Sequence, residues 1–200
     1  MRVVRPADLT GQYANPRAIL RERAAKGEVR KVAYGIYVAV PDDVYDPGRW
    51  RPSFEAAAGA VATAIFGDQG AVLMGMAAAR LQGAVPRAHG LATVAAPRRH
   101  RAVALTDRSF GVIEFVTRDL DAIDAQLLRT ELGGMLVTTA EQTIVDLARD
   151  RTTHESDLRD AMRNLGYVAD WSLVEELAGN QRGGGVVLPG LRRLRRELNK

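Results

Sequence analysis

Apolar positions in the first forty residues change their period twice. In "RPADLTGQYANPRAILRERAAKGEVRKVAYGIYVAV", the patch "PADL" predicts a short helix with Pro6 in its first turn. "TGQYA" then reads as a turn around Gly11. Asn15 and Pro16 form an N-cap and N1 pair that starts a second helix, with Ile19, Leu20, Arg23 and Ala24 on a 3.6-residue stripe. Gly27 stops that helix at a position where a left-handed backbone favours glycine. The spacing then changes to that of strands: Val29 and Val32, a turn at Tyr34-Gly35, then Ile36, Val38 and Val40. Helix, turn, helix and two-stranded ribbon is the order of a winged helix-turn-helix. The chain leaves little room for a further helix ahead of Pro6, so such a module is either abbreviated or supported from elsewhere.

"PDDVYDPGRWRPS" has no periodicity, three prolines and one glycine, and predicts a linker. Beyond it, Ser53 caps a small-residue helix running to about Phe66. A strand over 71–74, a helix over 76–81 ending at Gly83, and strands over 91–95, 102–105 and 112–116 follow. "LVTTAEQTIVDLARD" is the clearest helix start. Thr138 or Thr139 can cap it while Glu141 or Gln142 reaches back, and Ile144, Val145, Leu147 and Ala148 form its buried face. Helices over 155–165 and 172–177 come next. "NQRGGGVVLPG" predicts a flexible break, and "LRRLRRELNK" a basic amphipathic helix. These elements predict an α+β fold. A winged helix-turn-helix occupies residues 1–41, a linker 42–53, and a mixed α/β domain with a small sheet and C-terminal helices 54–200.

Charge sharpens that division. Residues 1–40 hold eight Lys/Arg against three acids (+5), residues 41–191 hold fifteen against twenty (−5), and residues 192–200 hold five against one (+4). A basic module attracts phosphate by releasing counterions, whereas an acidic surface suits a basic protein partner. In the putting-together of a groove-reading helix, Asn15, Arg17, Ala18 and Arg21 would face base edges. Arg17 and Arg21 lie four apart on one face, and arginine grips guanine through two acceptors. Lys26, Arg30 and Lys31 would meet phosphates, and Tyr34 at the wing turn would stack or hydrogen-bond in the neighbouring groove. The alternative is an amphipathic helix whose arginines are merely solvated.

Signatures of catalysis are weak. The chain has no cysteine, which excludes disulfides and thiolate metal sites and fits a reducing, cytosolic compartment. Neither a signal peptide nor a membrane span is expected. His89, His100 and His154 lack metal-ligand spacing. The glycine triplet at 183–185 lacks the Gly-Lys-Ser/Thr of a phosphate loop. Asp119, Asp121 and Asp124 read as a solvated acidic helix end before a metal site, and Asp146 as a buried hydrogen-bonding residue. A nuclease built on Glu114 lacks the lysine expected two residues on, where Val116 stands. No catalytic set, metal site or cofactor is expected.

Three stretches together resemble AbiEi-type antitoxins. "LRERAAKGEVRKVAYGIYVAV" looks like the family's helix-to-wing segment. "LMGMAAARLQGAVP" is similar to its small-residue helix ending in His/Gln-Gly, with Met74 and Met76 where serine is more usual. "LVTTAEQTIVDLARD" is similar to its Thr-rich helix carrying an aspartate. The resemblance spans about residues 5–150. It implies an antitoxin and autoregulatory repressor of a type IV toxin–antitoxin pair. Its N-terminal domain would bind double-stranded DNA of its own promoter, and the rest would oppose a cognate nucleotidyltransferase toxin. The competing expectation is a transcriptional regulator with a ligand-sensing or dimerisation domain and no toxin partner.

Overall fold

A computed structural model describes residues 1–86, 90–181 and 183–199, so His89 and Arg182 lie outside the described residues. Among these residues the fold is mixed α+β, with seven α-helices and two sheets.

The first helix, α1 (Pro16–Ala25), begins where the sequence places it: the Asn15 side chain accepts the Ala18 N–H at 3.2 Å. It ends in a full Schellman closure, with Glu28 N–H donating to Arg23 O and Gly27 N–H to Ala24 O. Gly27 has φ +77, and a Cβ there would lie 3.0 Å from Pro47 Cβ, so its backbone angle and its packing both require glycine. Ahead of α1, Pro6–Leu9 form a single 3-10 turn. Among the described residues no helix precedes that turn. Instead β1 (Val3–Val4) pairs antiparallel with β3 (Ile36–Ala39), which pairs with β2 (Val29–Ala33), giving the order β1-β3-β2.

The two faces of this small sheet serve different neighbours, because successive strand side chains alternate. Leu20, Val29 and Tyr37 form one small cluster with Val4, Leu9 and Ala24, beneath α1. Val32, Ile36 and Val38 face the other way, into the main core. That core is organised by α2 (Phe54–Phe66), which Ser53 caps by accepting the Ala56 N–H. The support missing ahead of Pro6 is thus supplied by a helix that follows the predicted linker. The intervening segment is irregular, as expected, yet fastened. The Arg30 guanidinium donates to Pro47 O (3.0 Å) and Gly48 O (2.6 Å), Arg108 donates to Pro52 O (2.9 Å), and the Glu131 carboxylate accepts the Ser53 N–H (2.5 Å).

The other side of α2 lies on a six-stranded sheet. Its strands are β4 (Val72–Met74), β5 (Leu91–Ala96), β6 (Val103–Ala104), β7 (Val112–Thr117), β8 (Ala125–Thr130) and β9 (Gly133–Thr138), in the order β6-β7-β5-β4-β9-β8. The β5–β7 and β4–β9 pairs are parallel and the rest antiparallel. The β8–β9 hairpin is absent from the sequence expectation, and the strand expected over 102–105 shrinks to two residues. A separate helical core joins α3 (Gly75–Leu81), α4 (Ala140–Leu147), α5 (Glu155–Gly166), α6 (Trp171–Asn180) and α7 (Gly184–Leu198).

Two expectations fail here. The capping hydroxyl of α4 is that of Thr139, but no side chain reaches back: Gln142 turns to Asp146 and Glu141 accepts the Asp170 N–H. The glycine triplet is no flexible break, since α7 starts at Gly184 and continues through Pro189. Val187, Leu191 and Leu194 are buried along it, and that packing outweighs the poor helix propensity of its first turns.

Small residues on α2 set the distance between the layers. A Cβ on Gly59 would lie 2.6 Å from Met135 Sδ. Gly59→Val is therefore expected to lower the unfolding free energy by about 1–3 kcal/mol. Adding Met135→Ala should recover part of that loss relative to Met135→Ala alone, as read by urea denaturation of the four proteins of the cycle.

Candidate nucleic-acid interface

The eight residues expected to meet DNA divide into three groups. Arg17 and Arg21 lie exposed on α1, and neither has a hydrogen bond or ion pair among the described residues. They are the free cations of the helix. Asn15 is exposed too, but its side-chain oxygen is occupied in capping, and Ala18 is half-buried beside it. At the far turn of the ribbon, Tyr34 is 84% exposed and Lys31 Nζ lies 5.4 Å above its ring, a cation–π contact at the wing tip.

The other two are engaged within the protein. Lys26 Nζ donates to Glu22 Oε1 at 2.7 Å, which raises the lysine pKa and lowers that of the glutamate. Arg30 is half-buried, and its guanidinium holds the 42–53 segment through the Pro47 and Gly48 carbonyls. Its position suits a strap for the loop better than a phosphate clamp. Arg23, which the sequence places on the buried stripe, donates to the Tyr13 hydroxyl (3.2 Å), stacks on that ring and faces Glu28. It thereby fixes the turn that delivers α1. A ten-residue separation from Tyr13 carries no periodic signal, so this link was invisible in the sequence.

A second basic element is the loop after β5. Arg98 lies 5.3 Å over the Phe66 ring, and the His100 ring makes edge contacts with Phe66 and Phe115. His100 is thus a packing residue in a basic turn. His154 accepts the Ser156 N–H at the start of α5. Of the three aspartates after β7, Asp119 accepts the Asp121 N–H and Asp124 accepts the Thr139 hydroxyl (2.7 Å). They therefore build a turn and a helix cap. Among the described residues, no three His, Asp or Glu side chains gather where they could hold a metal ion.

The polar residues of "LMGMAAARLQGAVP" and "LVTTAEQTIVDLARD" meet inside the protein. Gln82 donates to Thr138 O (3.0 Å) and to the Thr143 hydroxyl (3.1 Å), which in turn lies 2.7 Å from the Thr138 hydroxyl. Nearby, Asp146 is 7% exposed. Its Oδ1 accepts from Gln142 (3.0 Å) and lies 3.8 Å from Arg118, while Oδ2 has no partner among the described residues. Gln142 and Gln181 bond to each other, and Arg149 donates to Gln181 at 2.7 Å. Burial pushes the Asp146 carboxyl up to about 6, against the opposing pull of Arg118, Gln142 and Arg149. This set fastens α4 to α6 and to the end of β7.

No protein-family model matches the chain, and no curated protein matches it in sequence. Among solved structures, it is similar to the crystal structure of the RV2827C protein from Mycobacterium tuberculosis. The TM-score is 0.60 at 18% identity, covering 100% of this chain and 73% of that one. At that identity the likeness concerns the fold alone. No helix among the described residues is long and apolar enough to cross a membrane.

The Asp146 environment generates a pH signature. Its folded pKa of about 6 lies above its ordinary value of 3.8, so its stabilising contribution is complete below about pH 4 and is lost as pH rises through 6. The stability of the wild-type chain relative to Asp146→Asn should fall by about 2 kcal/mol between pH 4 and pH 7. Paired denaturation curves across that range check it, and a flat difference would contradict it.

Proposed function

We propose that the chain is an AbiEi-like antitoxin that represses its own operon. Its N-terminal winged helix-turn-helix would bind promoter DNA, and the remainder would counteract a cognate nucleotidyltransferase toxin. The observation that carries the DNA reading is the pair Arg17 and Arg21. They stand one helical turn apart, exposed and without a partner among the described residues, on a helix whose two ends are capped. A rigid helix offering two free guanidiniums suits guanine edges in a major groove. Lys31 and Tyr34 at the ribbon turn suit the flanking backbone and groove. The order β1-β3-β2 with a helical turn and α1 inserted between β1 and β2 is compatible with a winged module, with α2 backing the sheet in place of a preceding helix. The toxin partner rests on the family resemblance.

A second reading, a regulator with a ligand-sensing domain and no toxin, has one observation in its favour. A cleft of about 640 Å³ opens between the 42–53 segment and the β8–β9 hairpin, lined in part by Arg2, Trp50, Leu127 and Arg129. Such a cavity falls within the size range of small-molecule sites. Co-expression with the adjacent reading frame separates the two readings: rescue of growth from a toxic neighbour supports the first and its absence the second.

Replacing both Arg17 and Arg21 by alanine should abolish specific promoter binding in a gel-shift titration, each base-reading arginine being worth about 1–3 kcal/mol. Lys31→Ala should weaken binding evenly across sequences and reduce the salt slope by about one ion. The Arg17/Arg21 double variant should still neutralise the toxin. Promoter affinity unchanged in the double variant would sink the DNA reading.

A further inference from the structure

The two sheets present four edges, and three of them are short or engaged. β1 and β6 have two residues each, and β2 shifts register between Lys31 and Ala33 and is engaged at Val32 O by the Thr106 N–H (2.8 Å). The fourth edge is β8. It is six residues long, pairs with β9 without a shift in register and contains no proline. Every second residue of an antiparallel edge strand turns its N–H and C=O away from the neighbouring strand. Among the described residues, the backbone of β8 has no hydrogen bonds beyond its pairing with β9, and no other helix or strand lies along it. Free edges are ordinarily blunted by shortness, proline, bulges or charge. Here β8 has Arg129 alone, and its Leu127 is exposed.

Successive side chains of β8 enter two different clefts, because a strand alternates its faces. Leu127 and Arg129, with Thr130 at the turn, line the cleft of about 640 Å³ that Val44 and Trp50 close from the other side. Gln126 and Leu128 line a second cleft of about 410 Å³, which Leu165 and Val168 also line. Val168 is 77% exposed. An open edge with a cleft on each face is what an added strand requires: backbone bonds hold it, and its alternate side chains fill the clefts. The lining of the second cleft contains no ionisable residue, so it suits an aliphatic side chain. The first holds Arg2 and Arg129 against Asp43 and Glu131 and selects neither sign of charge.

We infer that β8 is the docking edge for one extended segment of another protein, with aliphatic residues at the alternate positions that face Leu128 and Val168. A second copy of this chain fits the edge less well. It would bring its own 42–53 segment and its own Val168 turn, and two-fold pairing of β8 with β8 sets each of these against its like on the same face of the joined sheet. A lone segment carries neither. The inference is independent of the promoter reading, since β8 belongs to the large sheet and the residues assigned to DNA belong to α1 and the ribbon turn.

The test uses the full chain and a fluorescent octapeptide alternating valine and threonine. Anisotropy should show saturable binding, and amide exchange along residues 125–130 should slow when the peptide is added. A fully N-methylated copy of the peptide, which cannot donate hydrogen bonds, should bind at least about tenfold more weakly. A copy with aspartate in place of valine should lose as much. Val168→Asp should weaken the valine peptide by a similar factor while leaving circular dichroism and Tm unchanged, since the position is exposed. Failure to saturate, equal affinity for the N-methylated copy, or binding untouched by Val168→Asp would overturn the assignment. So would a wild-type dimer whose β8 amides exchange faster on dilution to monomer, which would give the edge to a second copy.

Discussion

The whole fold hangs on the packing of one helix made almost entirely of small residues. From Ala56 to Ala64, α2 is buried nearly all round, with the small sheet on one side and the large sheet on the other. Alanine and glycine contribute little apolar area each, so the helix gains its stability from close approach on every face. Gly59 lies beneath Met135, where a Cβ would come 2.6 Å from the sulfur. The one acid of α2, Glu55, is 1% exposed and ion-paired with Arg80 of α3, so its charge is not left alone in a low-dielectric interior. That pair also joins the sheet layer to the helical layer behind it.

This constraint changes how the N-terminal forty residues must be understood. Their own cluster, built on Leu20, Val29 and Tyr37, is small, and the opposite face of their sheet is completed only by α2. A two-stranded ribbon with one helix has little core of its own, and the third strand and the backing helix supply the rest. The 42–53 segment accordingly behaves as a strap, held by Arg30, Arg108 and Glu131. Any event that loosens α2 or the strap is felt by α1.

What the sequence revealed follows from how local each signal is. Asn15, Ser53 and Thr139 cap their helices within three residues of themselves, and Gly27 terminates α1 through its own backbone angle, so these were legible. The β8–β9 hairpin was not. Gly133 and Gly134 look like a break, and Leu127 points its apolar side chain to solvent, 55% exposed, which spoils the alternation. Two-residue β1 has no period at all and exists through its pairing with β3. At α7 the local code pointed the wrong way, because three glycines and a proline describe a loop until Val187, Leu191 and Leu194 find the helical core.

The same distinction separates the residues that carry the family resemblance from those that carry the proposed activity. Gln82, Thr143 and Asp146 stand in the two later landmarks, and all three are spent on internal hydrogen bonds or ion pairs that lock α3 and α4 to the sheet and to α6. They explain why such a pattern would recur wherever this arrangement of helices is built, since a buried amide, hydroxyl or carboxylate needs its partners in place. Arg17 and Arg21 have the opposite character: both are exposed on a capped helix, and neither has a hydrogen bond or ion pair among the described residues. The function proposed for this chain rests on charges that the fold leaves unpaired among the described residues. The buried motifs that make the sequence look familiar describe the scaffold that presents them.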